Sequence, residues 1–421
     1  MNETRKKILI VKPILPYPPD QGTRVVSFDL IQSLQREFDV TVLARLLDPS
    51  EEVQARELEK HCSRVVGVSA PNRRSILHRA AYKVWYTLVS LTRRRSMKRL
   101  YECPGVFVEA ARRLAGEDFD CVVLEYWQMF PLLGVFPPGK TVLLTHDIEM
   151  RVNRQNALME RNLFRKLAKV RRWLLEQREE LEAYKTARRV LALTARDAAA
   201  VRKLRGEASA GSGDGTAEMP GGVGVLPVGF DTTSYQRLEK GRDPHDVLFM
   251  GELRASFNQD ALDYFVRRIV PHLDDAGDIR ITVVGGELPP HLEYFARDPR
   301  VEVTGRVPDV RPYLARTSCL VVPLRFGGGL RIRILEAMMA GAPVVCTPVA
   351  IAGMEFEPER DFLLANNPVE LAGQIKRLLA DPALVETLSR NAAAAVAQRY
   401  DAKVQSDRCL KLFHYIVSYK K

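Results

Sequence analysis

The chain has 421 residues, 46% of them hydrophobic and 27% charged, and this length predicts two domains rather than a single core. No run of about eighteen apolar residues occurs and the opening segment lacks a signal-peptide pattern, so neither a transmembrane helix nor a signal peptide is predicted. The six cysteines show no CxxC spacing, which argues against a zinc site or a disulfide framework and favours a cytoplasmic location.

The net charge of +11 is concentrated in the first half of the chain. Residues 1–228 carry 38 Lys and Arg against 27 Asp and Glu, whereas residues 229–421 carry 25 of each. This asymmetry predicts two domains with different partners, and the partner of the first domain should be acidic.

Strand and helix patterns alternate from the beginning of the chain. Lys7–Lys12 predicts a buried strand. A helix is predicted from Gly22 to about Phe38, and Asp39–Ala44 predicts the next strand. This is the opening of a parallel α/β sheet, and without GxGxxG it is not a dinucleotide fingerprint. Gly22 serves either a tight turn or the close approach of a ligand to the backbone.

Residues 60–101 contain no acidic residue, and an aromatic stretch around Trp85 lies between their basic clusters. This pattern predicts a basic amphipathic helix that contacts an anionic membrane surface or a lipid phosphate. A solvated, arginine-rich helix is the alternative. Nucleic acid is not predicted as a partner, because no nucleic-acid-binding motif accompanies the charge.

His146 follows a predicted strand directly. Asp120–Glu125 and Lys140–Thr145 are both buried-strand patterns, and open parallel sheets bind ligands at the carboxyl ends of their strands. His146 is therefore either a structural histidine or a substrate contact. One long, charged surface helix is predicted over residues 153–188, and a loop rich in glycine and serine over residues 206–224.

The alternation restarts in the second half, after a domain boundary predicted near residues 230–245. Asp246–Met250 predicts a strand, and Arg254 and Asn258 stand before and at the start of the following helix, where a phosphate would lie. The next strand is predicted over Ile279–Val284.

The most informative stretch is LVVPLRFGGGLRIRILEAMMAGAPVVCTP, residues 320–348. It predicts a buried strand, a turn at Gly327–Gly329, a helix over Leu330–Met339 and a second strand. This construction sets backbone N–H groups and the positive end of a helix beside an anion.

Helical spacing places Gly329, Arg333 and Glu336 on one face of that helix. Arg333 suits a phosphate, and Glu336 suits a sugar diol that donates two hydrogen bonds. A surface Arg–Glu pair, with glycines needed only for the turn, is the simpler alternative.

The ordered motifs resemble those of GT-B-fold glycosyltransferases of family 4, in the branch with a GGG turn. The resemblance spans nearly the whole chain through LPYPPDQGTR, HDIE, VGFD, FMGELRASFNQDA, VVGGELP, VTGRVPDVRPYLA and PLRFGGGLRIRILEAMMAGAPVV. It implies an α/β protein with two doubly wound, Rossmann-like domains facing across a cleft. These would be an acceptor-binding domain over residues 1–230, a nucleotide-sugar-binding domain over 231–398, and a C-terminal helix over 399–421 that crosses back to the first domain.

The same resemblance implies a retaining hexosyltransferase that moves a hexose or amino-hexose from a UDP- or GDP-sugar. The acceptor would be a glycan or a lipid-linked precursor in cell-surface polysaccharide or glycolipid synthesis. No metal and no other cofactor is expected. The cysteine usage and the basic segment 60–101 predict a cytoplasmic protein that is peripheral on the inner face of the cell membrane. A nucleotide-sugar 2-epimerase of the same fold and an inactive sugar-nucleotide-binding scaffold are the alternatives.

The resemblance also implies roles for individual residues. Catalytic roles fall on His146, at the transferred sugar, on Arg333, at the diphosphate, and on Glu336, at the ribose hydroxyls. The implied donor-binding positions are Gly22, Arg254, Asn258, Val307, Gly327, Gly328, Gly329, Leu330, Arg331 and Glu336. Gly328 stands where many relatives have the first glutamate of a pair, and Leu330 where threonine is usual. Arg333 and the glycine backbone are therefore expected to hold more of the donor.

Overall fold

The computed structural model describes residues 5–69, 84–85, 87–90, 92, 94–160, 162–207, 222–235 and 243–419. The chain divides into two compact units, Met1–Gly229 with Lys403–Lys421, and Phe230–Ala402. Each unit is built around its own parallel sheet with flanking helices. The predicted α/β class with two doubly wound sheets is confirmed.

The first unit contains seven strands: β1 (Lys7–Lys12), β2 (Asp39–Leu46), β3 (Arg64–Ser69), β4 (Cys121–Glu125), β5 (Thr141–Thr145), β6 (Arg189–Ala192) and β7 (Val223–Val225). All pair in parallel, in the order β3-β2-β1-β4-β5-β6-β7. Ile10 of β1 lies between Val42 and Val123 and is fully buried, as expected for a central strand with both faces covered.

Seven helices of the first unit precede the chain crossing to the second: α1 (Gly22–Leu34), α2 (Glu51–Leu58), α3 (Met97–Glu102), α4 (Gly105–Leu114), α5 (Glu149–Met159), α6 (Leu163–Thr186) and α7 (Ala195–Arg205). Short 3₁₀ helices occupy Glu59–His61 and Trp127–Gly134. The seven are the helices whose residues are all described by the structure. Helical residues also occur at 84–85, 87–90 and 92.

The single helix predicted over residues 153–188 is wrong, because α5 and α6 are separate helices. The backbone turns extended at Glu160, and the Asn162 side chain caps α6 by accepting from the Arg165 backbone N–H at 3.1 Å. Glu180 of α6 in turn accepts from the backbone N–H groups of Glu149 and Met150 at the start of α5, at 2.9 and 2.6 Å. These contacts hold the two helices together.

The basic segment 60–101 includes residues that lie outside the described part of the chain, namely 70–83, 86, 91 and 93. Described basic side chains of this segment form ion pairs within the first unit, and two of these pairs involve α3. Lys98 Nζ lies 2.6 Å from Glu149 Oε1, and Arg99 Nη1 lies 3.1 Å from Glu179 Oε1. These ion pairs attach α3 to α5 and α6.

The second unit contains six strands: β8 (Asp246–Gly251), β9 (Arg280–Gly285), β10 (Val301–Gly305), β11 (Cys319–Val322), β12 (Val344–Cys346) and β13 (Leu363–Leu364). They lie parallel in the order β10-β9-β8-β11-β12-β13. The sheet therefore grows in one direction from β8 and in the other from β11, as the first sheet does from β1 and β4. In open parallel sheets, ligands bind at the carboxyl ends of strands at this switch point.

Helices of the second unit are α8 (Ser256–Tyr264), α9 (Arg311–Arg316), α10 (Ile332–Met339), α11 (Pro348–Ile351), α12 (Pro368–Ala380) and α13 (Pro382–Tyr400). A π-helix spans Phe265–Ile269, and 3₁₀ helices span Thr233–Tyr235, Val270–Leu273 and Pro290–Arg297.

The C-terminal helix α14 (Ala402–Ser418) belongs to the first unit from Lys403 onward. Arg36, after α1, donates from Nη1 to Ser406 Oγ and pairs with Asp407 Oδ1, both at 2.9 Å. No helix among the described residues is long and apolar enough to cross a membrane. The six cysteines are unpaired and buried.

Candidate active site

The glycine turn after β11 delays the start of α10. Gly327 and Gly329 have φ of 143° and 73°, in the left-handed region that favours glycine. Arg331 precedes the helix with φ −95° and ψ 85°, which is not helical. The helix therefore begins at Ile332, and the predicted start at Leu330 is wrong because the turn holds the backbone out of helical geometry.

Arg331 folds back over this turn. Its Nη1 donates to the Gly328 carbonyl, and its guanidinium carbon lies 5.5 Å from the centre of the Phe257 ring. A β-carbon at Gly327 would meet Arg331 Nη2, and the positive φ of Gly327 disfavours any other residue there. The predicted donor-binding residues of the turn are thus packed against one another.

Arg333 is partly buried and is held by neutral acceptors. Its Nη2 donates to Asn258 Oδ1 at 2.7 Å, and its Nη1 donates to the Met250 carbonyl. Asn258 is buried and is itself fixed by donating to the Glu252 carbonyl at 2.9 Å. Within the described residues Arg333 forms no ion pair. Burial, with the neighbouring Arg331, lowers the pKa of Arg333 to about 9.

Gly251 makes room for this guanidinium, and Gly285 makes room for the backbone of Gly251. A β-carbon at Gly251, the last residue of β8, would lie 2.3 Å from Arg333 Nη1 and 3.0 Å from Asn258. A β-carbon at Gly285, the last residue of β9, would lie 2.1 Å from the Gly251 carbonyl oxygen. Gly251 and Gly285 were not predicted as site residues, although a glycine that ends a buried strand indicates close approach of another group.

Glu336, one turn further along α10, has a hydrogen-bond partner that was not predicted from the sequence. The Tyr235 hydroxyl donates to Glu336 Oε1 at 2.8 Å, and the Tyr235 ring lies 5.1 Å from that of Phe230. Burial raises the pKa of Glu336 above its ordinary value. The predicted face of α10 keeps Arg333 and Glu336, but Gly329 lies outside the helix.

Three other predicted donor-binding residues follow strands of the same sheet. Arg254 comes after β8, has a mostly exposed side chain, and pairs with Glu252 at 3.2 Å. Val307 comes after β10 and Leu330 after β11, and both are half-buried. Since the strands are parallel, all three lie toward the carboxyl edge where Arg333 contacts Met250.

In the first unit, His146 lies next to a buried ion pair at the ends of β1 and β4. Glu125 Oε2 is bonded to His146 Nε2 at 2.8 Å, to Lys12 Nζ at 3.1 Å and to Ser27 Oγ at 2.6 Å. Lys12 Nζ also donates to the Thr23 carbonyl at 2.8 Å. Lys12 and Glu125 were missed as site residues, although each is a charge that ends an otherwise apolar strand.

The charges around His146 determine which ring nitrogen can accept a hydrogen bond. Burial alone would raise the pKa of Glu125, but the charge of Lys12 and the His146 hydrogen bond lower it to about 2. An ionised carboxylate only accepts, so His146 Nε2 carries the donated proton. Burial lowers the pKa of His146, which favours the neutral ring. Nδ1 is then an acceptor, and it has no hydrogen-bond partner among the described residues.

Gly22 is the exposed first residue of α1. The next residue, Thr23, provides the carbonyl that holds Lys12, and Lys12 pairs with the carboxylate that holds His146. The first unit thus connects the two site residues predicted in it. In the part of the chain that the structure describes, no group of three His, Cys, Asp or Glu side chains is arranged to hold a metal ion.

Residues 244–381 match the sequence profile of a family described as glycosyl transferases group 1. They form a group 1 glycosyltransferase domain. This group 1 domain runs from just before β8 to the end of α12 and includes Arg333, Glu336 and the glycine turn. By sequence, the chain matches no curated protein.

Solved structures of similar fold cover the group 1 domain and the rest of the chain. Sucrose-phosphate synthase from Thermosynechococcus elongatus has a TM-score of 0.68 at 17% identity, covering 98% of this chain and 100% of that chain. HepE from Anabaena, in complex with UDP and glucose, has a TM-score of 0.65 at 16% identity, covering 97% and 100%. A variant of TarM from S. aureus, in complex with fondaparinux, alpha-GlcNAc-glycerol and UDP, has a TM-score of 0.63 at 10% identity, covering 97% and 99%. At these identities the likeness shows the fold alone.

Replacing Gly251 by Ala tests the packing around Arg333. The new β-carbon would overlap the guanidinium, so we expect the free energy of unfolding of the second unit to fall by about 1–3 kcal/mol. Gly373→Ala is the matched control. A β-carbon at Gly373 in α12 meets nothing within 4 Å, and alanine in a helix interior is favoured by about 0.5–1 kcal/mol. Urea unfolding measures the free energy of unfolding of both variants. Changes of equal size and sign in Gly251→Ala and Gly373→Ala would contradict this packing.

Replacing Glu125 by Gln tests the buried ion pair. Lys12 would lose its counter-ion, so we expect a loss of about 3–5 kcal/mol in the free energy of unfolding at neutral pH. Because the folded pKa of Glu125 is about 2, below its ordinary 4.5, its contribution is complete above pH 4.5 and is lost as the pH falls toward 2. The free energies of unfolding of wild type and Glu125→Gln should therefore approach each other as the pH falls over that range.

The control for this prediction is the double variant Lys12→Met/Glu125→Leu, which removes both charges. It should lose less free energy of unfolding than Glu125→Gln, because no unpaired buried charge remains. Urea unfolding at several pH values provides the comparison. A difference between wild type and Glu125→Gln that stays constant down to pH 2 would contradict the prediction.

Proposed function

We propose that this protein transfers a hexose or amino-hexose from a UDP- or GDP-sugar to a glycan or lipid-linked acceptor, with retention at the anomeric carbon. The observation that carries the proposal is the Arg333 guanidinium, which is held by neutral acceptors at the carboxyl end of β8. The charge of Glu336 acts on Arg333 from one turn along α10, but no carboxylate among the described residues bonds to the guanidinium directly. Burying a cation without a direct ionic partner is costly, so a ligand that supplies negative charge would stabilise it. In a group 1 glycosyltransferase domain, the donor's diphosphate is the ligand with that charge.

The diphosphate would be held by side-chain and backbone donors together. A guanidinium has five N–H donors, and Arg333 uses donors of both Nη atoms on Asn258 and Met250, which leaves others for phosphate oxygens. The turn Gly327–Gly329 and the first residues of α10 add backbone N–H groups at the positive end of a helix. Asn258 keeps the guanidinium plane fixed before the donor arrives.

Glu336 is proposed to bind the ribose hydroxyls. A carboxylate can accept a hydrogen bond from each hydroxyl of a vicinal diol. The Tyr235 hydroxyl bonded to Oε1 fixes the carboxylate from one side. Burial raises the pKa of Glu336, whereas hydroxyl donors favour its ionised form, so donor binding and deprotonation of Glu336 should support each other.

His146 is proposed to hold a hydroxyl of the transferred sugar. Its neutral ring, with the proton on Nε2 directed at Glu125, leaves Nδ1 to accept a hydrogen bond. The Tyr126 ring stacks on the imidazole with a centroid distance of 4.4 Å, which fixes the plane in which Nδ1 accepts. Glu125 and Lys12 therefore position His146 without contacting the sugar in this proposal.

The proposed reaction breaks the bond between the anomeric carbon and the donor phosphate oxygen. The acceptor hydroxyl oxygen forms the new bond on the same face, and its proton passes to the departing diphosphate. Arg333 and the backbone N–H groups stabilise the negative charge that grows on the diphosphate during this step. The proposal includes no metal and no other cofactor.

Ligands of the structural neighbours support the choice of donor and acceptor class. HepE was solved with UDP and glucose, and the TarM variant with UDP, fondaparinux and alpha-GlcNAc-glycerol. The basic excess of residues 1–228 favours an acidic acceptor such as a lipid-linked saccharide. We place the protein in the cytoplasm and peripheral on the inner face of the membrane, and its six unpaired cysteines fit a reducing compartment.

The test is a transfer assay with UDP- and GDP-sugars and with soluble or lipid-linked glycan acceptors, read by mass spectrometry. Arg333→Met and Glu336→Ala should each lower kcat/KM by about a hundredfold or more, because each removes a donor contact. Arg300→Met is the matched control, since Arg300 pairs with Asp298 at the amino end of β10. It should retain activity. NMR of the product should show the anomeric configuration of the donor.

Other outcomes identify the alternatives. Conversion of the donor sugar without an acceptor would assign a 2-epimerase. Donor binding without turnover would assign a sugar-nucleotide-binding scaffold. Full activity in Arg333→Met would contradict the proposed role of the guanidinium.

A further inference from the structure

The end of α5 and the start of α6 expose large apolar side chains. Phe164 is 83% exposed, Leu163 65% and Leu167 59%, which is unusual for apolar residues so close together. We call this surface the α5–α6 tip and define it by Leu158, Met159, Leu163, Phe164 and Leu167. It lies in the first unit, and none of its residues has a role in the proposed transfer.

Helix α6 exposes an apolar stripe and buries polar side chains, whereas a surface helix usually does the reverse. At about 100° per residue, Leu163, Leu167 and Leu174 lie within about 40° of one another on one face, and all three are exposed. The second half of the helix buries its opposite face, which includes Glu176 and Glu180, and their carboxylates accept hydrogen bonds from α5. The apolar stripe therefore faces away from the core that α6 covers, so it is available to a partner.

Basic residues surround the stripe. Residues 162–175 contain no acidic residue, and their five basic residues are Arg165, Lys166, Lys169, Arg171 and Arg172. Lys169 pairs with Glu160, and Arg172 with Glu176, beyond the two ends of this run. An anionic surface complements such a rim, whereas a second copy of the same tip would bring like charges together.

The basic segment 60–101 is a weaker candidate for the same contact. Its residues Lys98 and Arg99 are paired with Glu149 and Glu179 in the first unit, so their charge is already neutralised there. Ser90 of this segment lies beside α6, where its carbonyl accepts a hydrogen bond from Arg171 Nη2 at 3.1 Å.

We propose that the α5–α6 tip binds the surface of an anionic phospholipid bilayer. Phe164 and Leu167 enter the boundary between headgroups and acyl chains, while Arg165 and Lys166 meet the headgroup phosphates. The proposal rests on exposure and charge alone and is independent of sugar transfer. It would bring the first unit to the surface where a lipid-linked acceptor resides.

The experiment is co-sedimentation of the full chain with vesicles of phosphatidylcholine, with and without phosphatidylglycerol. Wild type should bind the vesicles that contain phosphatidylglycerol. The double variants Phe164→Ser/Leu167→Ser and Arg165→Glu/Lys166→Glu should each lower the partition coefficient by about tenfold or more, since one removes the inserted apolar groups and the other reverses the charge. All four side chains lie in the outer turns of α6, so melting curves should stay close to wild type.

Matched controls come from other exposed positions. Val106→Ser/Val369→Ser changes apolar residues that are 50% and 63% exposed, and Arg112→Glu/Arg113→Glu reverses the same charge on α4. Both controls should bind as wild type does. Transfer to a soluble acceptor should be unchanged in the tip variants, which separates this proposal from the proposed function.

Three results would overturn the proposal. The first is failure of wild type to bind the anionic vesicles, and the second is wild-type binding by both tip variants. The third is a concentration-dependent dimer in sedimentation velocity that Phe164→Ser/Leu167→Ser abolishes, which would assign the tip to a second copy of the chain.

Discussion

The second unit is organised around the Arg333 guanidinium, which forms no direct ion pair among the described residues. Arg333 can lie at the carboxyl end of β8 only because Gly251 has no side chain, and Gly251 in turn is approached closely by Gly285. Its bonded partners are a carbonyl and an amide, which orient a charge without cancelling it. The strand order places this charge at the switch point of the sheet, where a ligand can reach it.

At the corresponding position of its own sheet, the first unit has a cation and an anion that are paired with each other. Lys12 and Glu125 end the strands on either side of the switch point, and each neutralises the other. What they leave for a ligand is the neutral Nδ1 of His146. One unit thus retains a positive charge, suited to a diphosphate, and the other offers an uncharged acceptor, suited to a sugar hydroxyl.

The sequence predicted features that depend on neighbouring residues and missed those that depend on distant ones. Buried parallel strands are apolar runs, so both sheets could be predicted, and the GGG turn is itself a local signal. The Tyr235–Glu336 bond and the Lys12–Glu125 pair join residues 101 and 113 positions apart, which no local spacing encodes. The charge pattern of α6 indicated a surface helix, but charge alone could not tell which face is buried. Its buried face proved to carry glutamates that bond to α5.

We infer that the direct ionic partner of Arg333 is the diphosphate of a nucleotide. Calorimetric titration of wild type and Arg333→Met with UDP, GDP, uridine and guanosine tests this role. We expect wild type to bind one diphosphate about tenfold or more tightly than its nucleoside, and Arg333→Met to lose this advantage. Equal affinity of wild type for nucleoside and diphosphate, or an undiminished advantage in Arg333→Met, would show that Arg333 does not hold the diphosphate.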